Sequence, residues 1–143
     1  GLSPTTNLAK SKNAAADAEG LAQAYATITA VTTNGDTITS CIIDAVQANV
    51  NFDAAGAITT DLESSPRSKN QLGDEYGMRK ASPIGKEWNE QAAAFAQYAT
   101  GKTVADLKGV AVNEKGAPTV ADLTASITVG IGDFVDVIEK AAG

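Results

Sequence analysis

Two hydrophobic periods divide the chain. From Leu21 the pattern repeats every two residues: in AYATITAVTT, Ala26, Ile28 and Ala30 alternate with Tyr25, Thr27, Thr29 and Val31. With so many β-branched residues, this predicts a strand. Asn34-Gly35 is a strong hairpin signal, because both residues tolerate positive φ. Further strands are expected over Thr37–Gln47, Asn49–Asp53 and, after a turn at Ala54-Ala55-Gly56, Ala57–Asp61. Residues 24–61 thus read as an antiparallel meander of about four strands. The helical period takes over later: Trp88, Ala92, Phe95, Ala96 and Ala99 form one apolar stripe at i, i+4, i+7, i+8 and i+11. Ser82 as N-cap, Pro83 in the first turn and Gly101 as C-cap predict a helix over 83–100.

The remaining segments are less regular. Residues 1–20 have no clear period and read as a flexible N-terminal arm, leaving 21–143 as a single domain. Residues 62–82, with Pro66, Gly73 and Gly77, form a long connection, a candidate lid or rim. TVADL occurs at 103–107 and again at 119–123; Thr followed by Asp three residues on resembles a capping box at the start of a helical turn. Val110–Val112 reads as a short strand. Near the C-terminus, a helix over 134–142 is expected, preceded either by a strand over 126–131 or by a helical extension from Thr128. Together these elements predict an α+β domain, an antiparallel sheet covered by two or more helices.

Composition narrows the chemistry. The chain has 143 residues, 11 Lys and Arg against 17 Asp and Glu for a net charge of −6, no histidine and one cysteine, Cys41. Triads that depend on histidine are excluded, as are His/Cys zinc sites and an internal disulfide. Acidity argues against nucleic acid as a partner, since a phosphate backbone is bound by clustered cations. No apolar run approaches a transmembrane length. Residue 1 is Gly, so a signal peptide is presumed already removed; the composition fits an exported bacterial protein and a small cytosolic one alike.

Several local patterns are candidates for chemistry. Asn49, Asn51, Asp53 and Gly56 sketch a calcium loop but miss the spacing of an EF-hand. Glu87 and Glu90 lie three apart on the predicted helix and read as solvated carboxylates. Asp133, Asp136 and Glu139 suit the start of a helix. Cys41, within SCIID, reads as a small buried hydrophobe. The string from Gly77 to Gly85 combines glycines, Arg79 and Lys80 with a helix start, a setting that can receive an anion such as phosphate.

Two stretches carry a family resemblance. ITAVTTNGDTITSCIID (28–44) and ADLTASITVGIGDFVDVIEKA (121–141) resemble the opening hairpin and closing segment of the FMN-binding domain family of exported bacterial flavoproteins. The resemblance sets Asp122 at the family's motif Asp and Thr128 at the threonine that carries FMN through a phosphoester in some members. The family's Ser/Thr-Gly-Ala is here Ala125-Ser126-Ile127, and Gly130 stands where Ser/Thr is usual. What the resemblance implies is FMN as cofactor, with Thr128, Ser126 and Asp122 near its phosphate, Arg79 and Lys80 as counter-charges, and Trp88 or Tyr76 stacking on a ring. The competing expectation is a non-enzymatic exported or cell-surface protein with a structural or interaction role, self-assembling as a homo-oligomer through exposed strand edges.

Overall fold

A computed structural model describes all residues 1–143. The chain forms a three-stranded antiparallel sheet in the order β1 (Leu2–Asn7), β2 (Gly20–Asn34), β3 (Thr37–Phe52). Five helices follow: α1 (Lys69–Leu72), α2 (Trp88–Ala99), α3 (Val104–Lys108), α4 (Ala121–Thr124) and α5 (Gly132–Ala142). The fold is α+β, as expected. α2 lies against β3, and α5 against β2 and β1, so both long helices cover the same sheet face.

The β2–β3 hairpin is organised by its turn. Asn34 pairs with Thr37, so the loop is Gly35-Asp36 rather than the expected Asn34-Gly35; Asn34 ends β2, and only Gly35, with a φ of +59°, takes the left-handed conformation that favours glycine. One bulge between Thr32 and Thr33 shifts the register near the turn. The inward side of β2 is the threonine side: Thr27, Thr29 and Val31 are buried, while Ala30 is exposed. Buried hydroxyls need partners, and Thr29 Oγ1 donates to the Ile42 carbonyl at 2.7 Å. Val31, Ile38, Ile43 and Ala45 then pack on Trp88, Phe95, Phe134 and Ile138. Trp88 and Phe134 meet edge to face with centroids 5.6 Å apart.

Several expectations require correction. The first 20 residues, read as an arm, supply β1, which pairs along β2 from Leu2 opposite Ala30 to Asn7 opposite Tyr25. The meander has three strands, not four: Asn49–Asp53 continues β3, and the 57–61 segment makes only a single bridge, Ile58 to Phe52. Val110–Val112 likewise makes one bridge, Val112 to Pro118. α2 begins at Trp88 rather than Pro83, because Glu87 is the N-cap and its N–H is met by the Glu90 carboxylate at 2.7 Å. The first TVADL is a full capping box, with Asp106 Oδ2 accepting from Thr103 N at 2.9 Å and Thr103 Oγ1 from Asp106 N at 3.2 Å. The second starts α4 from Val120 with no side-chain cap. Residues 126–131 form neither a strand nor a helical extension; the Thr128 and Val129 amides bond to a side chain of α2 instead.

Candidate functional site

The start of α2 gathers polar groups from two other segments, residues 78–82 and residues 128–129. Glu87 is almost fully buried; its two carboxylate oxygens accept the backbone N–H groups of Met78 and Arg79, each at 2.9 Å. The expectation that Glu87 and Glu90 both face solvent therefore holds only for Glu90. Glu87 is buried because it ties the 77–82 loop to the helix.

One turn on, Gln91 is fully buried. Its Oε1 accepts from Thr128 N at 2.8 Å, Val129 N at 3.2 Å and Thr128 Oγ1 at 3.4 Å. Its Nε2 donates to the Lys86 carbonyl at 3.3 Å and Ser82 Oγ at 3.4 Å. These bonds hold 126–131 against α2 and prevent a strand there. Gln91 sits between Trp88 and Phe95 on the apolar stripe, and a glutamine at a core-facing helical position was the sequence signal for this hub.

The residues that the resemblance implies are only partly brought together. Thr128 is half-buried against Gln91. Asp122 and Ser126 share a shallow hollow of about 200 Å³ with Ala94, Gln97, Tyr98 and Leu123. Arg79 is tied to Asp74 at 2.7 Å and Glu90 at 3.2 Å, which hold its guanidinium above its ordinary range. Lys80 is exposed and makes no ion pair. Trp88 and Tyr76, named as stacking candidates, both face Lys69.

Lys69 is a second buried polar centre, 5% exposed. Its ammonium lies 4.7 Å from the Tyr25 ring centroid, 4.6 Å from Tyr76 and 4.8 Å from Trp88. It also donates to the Tyr25 hydroxyl at 3.0 Å. Burial pushes the amine down to about 8, with Asp133 acting the other way. The three ring faces also favour the ammonium and oppose that shift. Tyr25 is pushed up to about 12, chiefly by burial. No sequence pattern announced this cage, because its rings come from β2, the 73–76 turn and α2.

FMN fits this arrangement poorly. The donors at Thr128 and Val129 that could meet a phosphate oxygen already converge on Gln91 Oε1, and the nearby aromatic faces enclose Lys69. The position of the family's glycine is Ser126, followed by the buried Ile127. No group of three or more His, Cys, Asp or Glu side chains is placed to hold a metal ion. Cys41 is half-buried, its thiol raised by burial, and lies 3.5 Å from Thr29 Oγ1. No helix is long and apolar enough to cross a membrane.

Comparison with known proteins adds one short likeness. No family model matches the chain, and no solved structure matches it. Over 41 residues it is 44% identical to a chlorophenol reductase of Desulfitobacterium hafniense. That stretch is 29% of this chain and 12% of the reductase.

Proposed function

We propose that this domain is a non-enzymatic interaction module of an exported or cell-surface bacterial protein. The observation that carries the reading is the closure of both polar centres by the chain's own side chains. Gln91 fills the acceptor position at Thr128 and Val129, and Lys69 fills the aromatic cage. A domain whose buried donors and ring faces are satisfied internally presents its surface, not a reactive pocket, to other molecules. The extracellular setting rests on the resemblance of 28–44 and 121–141 to exported flavoproteins.

A second reading, in which the domain carries FMN, has one observation in its favour. Three donors from Thr128 and Val129 converge on a single acceptor oxygen, a role that a phosphate oxygen can also fill. FMN would have to displace Gln91, with Asp122 and Ser126 in the adjoining hollow. The 41-residue likeness to a protein named as a reductase is compatible with a redox setting.

Protein purified from its native host separates the two. The interaction reading expects a colourless preparation that does not retain added FMN on dialysis and that associates with itself or a partner in sedimentation. A yellow, strictly monomeric protein absorbing near ~450 nm would overturn it, since that absorbance comes from the flavin.

A further inference from the structure

We propose that the cleft between the outer edge of β3 and α2 accepts a short, extended, uncharged peptide segment of a partner protein as an added strand. The proposal rests on the interaction reading and names the partner chemistry for it. Val31 N–H donates away from β3, to the Gly1 carbonyl at 2.9 Å. In an antiparallel ladder this makes Val31 and Cys41 a non-hydrogen-bonded pair, so the Cys41 N–H and C=O point outward from the sheet. The same parity turns the backbone N–H and C=O of Ile43 and Ala45 away from β2, while their side chains stay in the core.

Part of that edge is already closed. The Ile38 N–H donates to the Lys102 carbonyl and its C=O accepts from Gly101 N, both at 2.8 Å. The Ile43 carbonyl accepts from Asn70 Nδ2 at 2.9 Å, and Ala45 N–H donates to Asp44 Oδ1 at 2.8 Å. Between these closures, the N–H and C=O of Cys41 and the N–H of Ile43 take no partner from any other segment. The open window lies between these closures, from Thr39 to Ile43, about 13 Å at ~3.3 Å per residue.

The window is the floor of a cleft of about 440 Å³. Ser40 to Ile43 form one wall; Asn89, Ala93 and Gln97 of α2 stand on the other, and no charged side chain lines it. Asn89 Oδ1 is buried with no hydrogen-bond partner, and Ile42 is 61% exposed beside the opening.

These features select the occupant. Unpaired main-chain donors and acceptors at strand spacing are matched by an extended backbone, the mode of β-strand addition. The uncharged walls disfavour a charged segment, whose desolvation nothing would offset. The full β3 edge of a second copy is too long for the window: its own Gly101–Lys102 and Asn70 closures would meet those of the first. A tail or loop segment is not so obstructed.

The test uses the isotope-labelled domain with two pools of short, terminally blocked peptides, one of Val, Thr, Ala, Ser and Asn, the other with Asp and Glu at alternate positions. Expected are amide shifts at Cys41 and Ile43 with the uncharged pool alone. Alkylation of Cys41 should slow about tenfold when peptide exceeds its Kd about tenfold. Backbone N-methylation of the peptides should remove both effects. Ala93→Trp, at an exposed helix position, should fill the cleft and abolish the shifts without altering thermal unfolding. Absence of shifts at Cys41 and Ile43, or shifts that persist in Ala93→Trp, would overturn the proposal. Protection of Cys41 that rises with protein concentration alone would make a second copy the occupant, overturning this partner while leaving the interaction reading in place.

Discussion

The two sides of α2 treat polar groups in opposite ways. At its N-terminal end, Glu87, Gln91 and the neighbouring Lys69 are buried, and each is satisfied from within the chain, by backbone amides or by ring faces. Along its outer side, the β3 edge leaves the backbone N–H and C=O of half-buried Cys41 unpaired. An unpaired buried donor costs about 1–3 kcal/mol, whereas an exposed strand edge is solvated and available. The contrast separates what holds the fold from what is free to meet another molecule.

Substitutions at the closed end should have the largest effects. Gln91→Ala orphans the Thr128 and Val129 N–H groups and opens a cavity, and is expected to destabilise by about 3–5 kcal/mol in urea unfolding. A loss below about 1 kcal/mol would mean that water or backbone movement replaces the glutamine and that the end is not closed. Glu87→Gln keeps one acceptor oxygen of the two and should cost about 1–2 kcal/mol.

Lys69 sharpens the comparison through pH. Its amine is near 8 in the fold and near 10.5 when unfolded. Between those values the unfolded chain binds a proton that the folded chain has released, so stability rises with pH across that window. Lys69→Met removes the rise. Relative to that variant, the wild type should gain about 1–2 kcal/mol between about pH 7.5 and 9.5. The upper limit avoids the alkaline range, where Tyr25, held near 12, contributes with the opposite sign. Identical pH profiles would show that the ring faces hold the ammonium charged throughout. Arg79→Ala should bring the smallest change, with no measurable shift in Tm, because its ion pairs are exposed and screened.

The hairpin and the core side of α2 were legible in the sequence because each depends on local signals, Asn34-Gly35 with alternation and an apolar stripe ending at Gly101. The capping box at Thr103–Asp106 was legible for the same reason. β1 was hidden because Leu2–Asn7 is an edge strand with a single buried residue, Ser3, and so lacks an apolar period. The segment 126–131 alternates like a strand, yet its amides bond to a side chain 37 and 38 residues away. The Lys69 cage draws on three separate segments. Contacts of this kind leave no period and no motif; Gln91 on the apolar stripe was the trace that remained. The candidate FMN residues Asp122 and Ser126 share a hollow on α2 and Thr128 bonds to Gln91 of the same helix, but Arg79 and Lys80 make no hydrogen bond or ion pair with them.

Amide hydrogen exchange at low protein concentration tests the central contrast most directly. The account predicts slow exchange at Met78, Arg79, Thr128 and Val129 and fast exchange at Cys41. Fast exchange at Thr128 and Val129, or protection of Cys41 in the dilute monomer, would contradict it.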